Sequence, residues 1–207
     1  GNDISNELTA KVGISSVSIE NARLNMQTEI GSKTFQDVKQ NAENVWNDAL
    51  SVIEVKLKSE EQKKIFYTAL YHTLIVPNIY SDVDGSYTGR DFKVHKSDFD
   101  YYTVFSLWDT YRAAHPLYNL IYPEKNVDFV RTMLKQYEQG GLLPVWELSS
   151  NETFCMIGYH SVPVIADAMQ KGLKGFDYEL AYDAMKNSAN RNHFGIKQYI
   201  ERGYISM

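Results

Sequence analysis

At 207 residues, with a hydrophobic share of 43% and 13% aromatics that include 15 Tyr and 9 Phe, the chain can bury a sizeable core and is neither disordered nor low in complexity. A formal net charge of −5 with no Lys/Arg stripe gives no footprint for nucleic acid or an anionic membrane surface and leaves neutral or polar ligands. The single cysteine, Cys155, excludes an intrachain disulfide framework and a cysteine-type zinc site, and no apolar run approaches the length of a membrane span.

The chain opens on Gly1-Asn2-Asp3 without a signal peptide, which reads as the cut end of a longer exported precursor. Residues 10–17 have the β-branched content of one strand, with no partner strand nearby in sequence. Ser18 stands where an N-cap belongs, ahead of Ile19, Ala22 and Met26 at helical spacing, and Gly31 is a stop signal, so a linker helix is predicted. From Thr34, the positions Phe35, Val38, Ala42, Val45, Trp46, Ala49, Leu50 and Ile53 predict a long amphipathic helix ending near Leu57. Ser59-Glu60-Glu61-Gln62 caps a second helix carrying Ile65, Phe66, Ala69, Leu70 and Leu74, which pairs with the first as a hairpin. Pro77 closes it, and residues 77–102 run without helical period. Further helices are predicted over 105–121, 125–138, 160–171 and 177–190, with another turn after Asn192. Between the second and third of these lie the non-periodic, aromatic and polar residues 140–153. A long irregular connection inside a helical domain is usually functional.

That connection carries Trp146, Glu147, Asn151 and Glu152, the residue types of a sugar site. Aromatic faces pack on the C–H faces of a pyranose, while carboxylates and amides pair with its hydroxyls. A loop tryptophan is more often a core plug. Trp108-Asp109-Thr110-Tyr111-Arg112 puts Asp109 and Arg112 on one helical face, either as an intrahelical ion pair or with Trp108 and Asp109 presented at the mouth of a cavity. Asp82-Val83-Asp84-Gly85 resembles the start of a calcium loop, but Lys93 occupies the position where an EF-hand requires Glu, so an Asx turn is the simpler reading. His72, His95, His115, His160 and His193 are scattered and no two stand at the i, i+4 spacing of a shared metal. Phosphate-loop and esterase-elbow motifs are absent. Cys155 reads as a buried structural thiol rather than a nucleophile, and Asn151-Glu152-Thr153 as a chance glycosylation triplet.

Five blocks together carry a family resemblance. They are Phe66-Tyr67-Thr68-Ala69-Leu70-Tyr71-His72, Ser81-Asp82-Val83-Asp84-Gly85, the run from Tyr102 to Arg112, Leu143-Pro144-Val145-Trp146 leading to Asn151-Glu152-Thr153, and Met156-Ile157-Gly158-Tyr159-His160. In order and spacing they resemble glycoside hydrolase family 92, calcium-dependent exo-acting α-mannosidases common in gut Bacteroidetes. The resemblance implies a β-sandwich followed by an α/α toroid of helical hairpins, with the active site at their interface. On that reading the fold is mainly α, a partial α/α toroid preceded by a short strand and linker helices. Residues 1–32 close the sandwich and lead into the toroid, whose N-terminal part spans 33–207. Catalysis would invert the anomeric centre, with one acid and a separate base. Glu152 is the implied acid, with Glu147 as the other candidate, and Trp108, Asp109, Trp146, Asn151 and His160 would line the sugar pocket. The family's acidic blocks that carry the base are not found in these 207 residues. The resemblance therefore implies a fragment of an α-mannosidase, of α-1,2 type, inactive alone and prone to self-association through uncovered helix faces. Calcium would be held mostly by residues outside it, and the whole protein would be periplasmic, cell-surface or secreted. The competing reading is a helical carbohydrate-binding or interaction domain without catalysis.

Overall fold

Capping groups set the starts of the first three helices in the computed structural model, which describes residues 8–192 and 195–205; Gly1, Asn2, Asp3 and His193 lie outside them. Helix α1 (Ile19–Glu29) begins where the Ser18 side chain accepts the Asn21 N–H, and Gly31 beyond its end takes a φ of 51°. Helix α2 (Phe35–Leu50) opens on a capping box between Thr34 and Asp37, and α3 (Glu60–Thr73) on Ser59, whose side chain accepts the Gln62 N–H. α2 stops short of Leu57. The β-branched residues Val52, Ile53 and Val55 resist continuation, and the Tyr67 hydroxyl of α3 draws off the Ile53 carbonyl at 3.0 Å. The Trp46 and Tyr71 rings, 4.5 Å apart, close the α2–α3 hairpin.

The segment predicted as irregular carries short strands. β1 (Asn78–Ile79) pairs with β4 (Tyr102–Thr103), and β2 (Ser86–Thr88) with β3 (Val94–Lys96), all antiparallel. The helix predicted over 105–121 splits into β5 (Phe105–Ser106), α4 (Leu107–Thr110) and α5 (Ala114–Ile121). Its first residues are taken into a sheet with β6 (Trp146–Leu148) and β7 (Asn151–Glu152), in the order β5-β6-β7, and Leu107 N–H extends that ladder to the Val145 carbonyl at 2.9 Å. Between lies α6 (Pro123–Gly140), and after the sheet come α7 (Ser161–Gln170), α8 (Tyr178–Asn190) and α9 (Ile196–Arg202). No helix among the described residues is long and apolar enough to cross a membrane.

Residues 10–17 form no strand. A strand needs a ladder, and among the described residues none pairs with them. The segment is instead held by side chains: Asn25 donates to the Ile14 carbonyl at 2.9 Å, Ser15 to Asp82 at 2.7 Å, and Thr88 to the Ser16 carbonyl at 2.7 Å.

The core gathers around α6, which buries Phe129, Val130, Met133 and Leu134 at helical spacing against α5, α7 and α8. Ala168, Ala181 and Ala184 are fully buried, and their small side chains allow α7 and α8 to approach closely. Through this apolar core runs a polar chain. Asn126 donates its amide to Asn119 at 2.5 Å, so its Oδ1 faces His115 at 3.2 Å and the imidazole Nδ1 is the donor. Asn119 in turn donates to Asp167 at 2.8 Å, which also accepts from Lys171 at 2.6 Å. Each buried group is answered by the next, and α5, α6 and α7 are joined by bonds whose loss would leave buried polar groups unpaired.

Burial holds the His115 imidazole down to about 4, against an ordinary 6.5. The unfolded chain therefore takes a proton first as pH falls, and stability present above 6.5 is lost on the way to 4. The urea midpoint should drop across that window, and a component of roughly 3 kcal/mol at most should be missing from H115Q.

Candidate active site

Two strained segments shape the β5-β6-β7 sheet. Val104 takes a φ of 67°, which turns the chain out of the β1–β4 pair and into β5. β6 and β7 are joined by the two-residue turn Ser149-Ser150, with φ of 51° and 67°. Both are in the left-handed region usual for a tight hairpin, but without the Asn-Gly that ordinarily fills it. Holding non-glycine residues there costs about 1–2 kcal/mol each, so the surroundings must offset it. The Ser149 N–H donates to the Thr103 hydroxyl at 2.7 Å, the Thr103 hydroxyl to Glu147 Oε1 at 2.8 Å, and the Ser150 N–H directly to the same Oε1. Tyr101 and Ser150 share a further hydroxyl bond at 2.6 Å.

The register sets Phe105, Glu147 and Glu152 opposite one another across the three strands, while Ser106 faces Trp146 and Leu148 faces Asn151. Residues opposite each other share a face. Glu147 and Phe105 thus lie on the core side, each almost wholly buried, and Trp146 and Asn151 belong to the more open side. Burial pushes the Glu147 carboxyl up to about 7, against the opposing pull of the Thr103 hydroxyl and the Ser150, Phe105 and Val104 N–H groups. Its Oε2 completes no hydrogen bond among the described residues.

Glu152 is partly exposed, and its carboxylate caps the end of the ladder. Oε2 accepts from Val145 N–H at 2.5 Å and Trp146 N–H at 3.2 Å, and Oε1 from Phe154 N–H at 3.0 Å. With Phe154, Met156, Tyr159 and Arg191, it lines a small cavity of about 60 Å³. Arg90 adds positive charge facing Glu152 and Glu147 while its guanidinium donates to the Leu142 carbonyl at 2.7 Å. It lies so close over the chain that a Cβ on Gly140 would stand 2.3 Å from Arg90 Cδ. Arg90 and Ser150 carry no signal in the sequence, and Thr103 stands only as a member of the Tyr102 to Arg112 block, because each acts across a long stretch of chain.

A second group forms beside this sheet. Trp108, Tyr111 and His160 cluster, with the His160 ring 4.7 Å from Tyr111 and 6.4 Å from Trp108. Gly158, at φ 85°, leaves room for that ring, since a Cβ there would stand 2.6 Å from it. The His160 Nδ1 is buried without a hydrogen-bond partner among the described residues, and burial, then the Arg112 charge, lowers its pKa. Asp109 is exposed and accepts the Ser106 hydroxyl at 2.5 Å. No ion pair joins it to Arg112, which lies over the Trp108 and Tyr111 rings instead, 5.5 and 5.3 Å from their centroids. The two groups share a frame: the Ser161 hydroxyl at the start of α7 donates to the Pro144 carbonyl just before β6.

Cys155 is exposed rather than buried, with the Thr153 hydroxyl 3.1 Å from its sulfur. Asp82 and Asp84 act as a turn and a clamp. Asp82 accepts from Ser15 and Asn25, and Asp84 from Asn21 and from both the hydroxyl and the N–H of Ser86, so the loop fastens α1 to the body. Among the described residues no three His, Cys, Asp or Glu side chains converge as a metal site.

The profile of the glycosyl hydrolase family 92 catalytic domain matches residues 21–207. Among solved structures, the chain is similar to the family GH92 α-mannosidase BT3965 from Bacteroides thetaiotaomicron, with 42% identity and a TM-score of 0.89 over 92% of this chain and 26% of that one. It matches the same α-mannosidase in complex with mannoimidazole at 42% identity and a TM-score of 0.88, over 92% of this chain and 25% of that one. The inverting mannosidase BT2199 from Bacteroides thetaiotaomicron is 32% identical at a TM-score of 0.86, over 92% of this chain and 27% of that one. The chain thus spans about a quarter of the length of these solved relatives. A search among curated proteins returns no match.

The raised Glu147 carboxyl makes a stability prediction opposite in sign to that of His115. The folded chain keeps its proton up to about 7, whereas the unfolded chain releases it near 4.5, so stability fully present below 4.5 is lost as pH rises through 7. E147Q should gain on the parent chain between pH 5 and pH 8, by roughly 3 kcal/mol at most, in urea unfolding at the two pH values.

Proposed function

The chain belongs to glycosyl hydrolase family 92, and on that premise we propose that its protein hydrolyses terminal mannose from α-mannosides, with Glu152 as the general acid. The observation that carries the assignment is the contrast between the two acids of the sheet. Glu147 is shut away from solvent, whereas Glu152, opposite it on the same face of the sheet, keeps partial exposure at the end of the ladder, its carboxylate on the Val145 and Trp146 N–H groups. Only a carboxyl that can touch the leaving oxygen can protonate it. Trp146 and Asn151 on the more open face of the sheet, and separately Trp108, Asp109 and His160, supply the aromatic surface and polar atoms that a pyranose requires. The buried Nδ1 of His160, without a hydrogen-bond partner among the described residues, supports a role toward a ligand hydroxyl.

The finer reading is an inverting, α-1,2-type, exo-acting enzyme whose helical hairpins form part of a toroid. Inversion needs a base some 6.5–9.5 Å from the acid to leave room for water. Glu147 cannot serve, because no water reaches it. We place the base outside these 207 residues, so the chain by itself should be inactive. Calcium dependence belongs to the same proposal, as does a periplasmic or surface location. The oxygens of Asp82 and Asp84 are engaged by protein donors, so these residues do not fit a calcium site, and its ligands would come from elsewhere.

The test is mannose release from α-1,2-mannobiose by a protein carrying this chain at the full length of its relatives, with and without a chelator. E152Q should lower kcat by about 10²–10⁴-fold while mannoside binding persists. An unchanged rate would remove Glu152 from the role, and a parent silent on every linkage would favour a non-catalytic carbohydrate-binding domain. Phe35, Val45 and Ile65 of the α2–α3 hairpin are 67%, 66% and 63% exposed, which supports self-association of the 207-residue chain. Its sedimentation coefficient should rise with concentration.

A further inference from the structure

We infer that Glu147 is a positioning residue: through Oε1 it clamps the Ser149-Ser150 turn and so fixes the β6–β7 register that presents Glu152. This rests on the reading of Glu152 as the acid. Its own basis is geometric. A single carboxylate oxygen holds both turn amides, Ser150 directly and Ser149 by way of the Thr103 hydroxyl. The turn it holds has two non-glycine residues at positive φ, which the dipeptide does not adopt unaided.

The consequence for the site follows from strand geometry. Strand side chains alternate between faces, so a slip of one residue exchanges the faces of Asn151 and Glu152. The paired stretch is only Glu147↔Glu152 and Leu148↔Asn151, too short to specify register by itself. Beyond it the ladder continues through Thr153 N–H to the Trp146 carbonyl at 3.0 Å, and the Glu152 carboxylate then closes on Val145 and Trp146. A turn that relaxed would carry Glu152 away from both. Glu147 is fully buried and reaches no substrate, so it acts on the chemistry only through this hairpin.

Two measurements test the inference. On the 207-residue chain, amide hydrogen exchange at Ser150 and Thr153 should be slow in the parent and in E147Q, which keeps an acceptor oxygen. In E147L it should be at least about 100-fold faster, and in T103V, which cuts only the Ser149 arm, faster by a smaller factor. Adding S149N/S150G, an Asn-Gly turn that needs no clamp, to E147L should return Thr153 to slow exchange. Unchanged Thr153 exchange in both E147L and T103V would overturn the clamp, as would fast exchange in E147Q. In the full-length protein, E147L should lower kcat at least about 30-fold with little change in KM, and S149N/S150G should restore most of it. An inactive E147Q with slow Thr153 exchange would make Glu147 a chemical group and sink the proposal. Should the parent show no hydrolysis, the mannosidase reading fails, while the exchange results still decide the clamp.

Discussion

A carboxylic acid without access to water lies at the centre of the small β5-β6-β7 sheet, and the surrounding chain is shaped by how that group is answered. Glu147 is buried against Phe105, where a full charge is expensive, yet its Oε1 receives a hydroxyl and a backbone N–H. Those donors come from Thr103 and Ser150, far apart in sequence. Satisfying one acid therefore fixes the β4–β5 bend relative to the β6–β7 turn. The left-handed backbone at Val104, Ser149 and Ser150 is the visible result, strain kept in place by neighbours that over-determine it.

The helical layer supplies the rigidity on which that sheet depends. α6 lies at its centre, buried along one face, and the Thr132 hydroxyl at its middle accepts the Tyr102 N–H of β4 at 3.2 Å. Gln139 near its end donates to the Tyr87 hydroxyl and accepts the Arg90 N–H, fastening the β2–β3 hairpin. Tyr87 in turn stacks on Tyr101 with ring centroids 3.8 Å apart, and Tyr101 reaches Ser150. A continuous path of packed rings and hydrogen bonds thus leads from the helical core to the strained turn. The α2–α3 hairpin is attached more lightly. The Tyr118 and Tyr122 hydroxyls donate to the Thr73 and Ala49 carbonyls near the C-terminal ends of α3 and α2, and much apolar surface of the hairpin stays open to solvent.

Much of this was legible from spacing and caps. Ser18 and Ser59 each start a helix through a side chain bonded to the next turn, an interaction contained within four residues. The helical periods of α6, α7 and α8 were equally plain, as was the family, because its motif blocks are contiguous. The strand expected over 10–17 failed for the opposite reason: β-branched residues only favour a ladder, and the ladder has to be supplied by another segment. The helix expected over 105–121 failed at its start because Leu107 bonds to Val145, a partner no local pattern could reveal.

The same division runs through the site. By itself the sequence determined the residue types, Trp146, Asn151 and Glu152 in one stretch with Trp108, Asp109 and His160 in others, since a motif is a property of neighbouring positions. The motif resemblance preferred Glu152 to Glu147, while residue type alone does not distinguish two glutamates that differ in burial and not in chemistry. Tertiary structure decided that, of two acids opposite each other on one face of the sheet, one is fully buried and the other partly exposed at the end of the ladder, that Asp82 and Asp84 fasten α1, and that Arg112 lies over aromatic rings instead of pairing with Asp109. Each of those outcomes depends on which groups come within about 3–6 Å after folding, a distance set by the packing of remote segments.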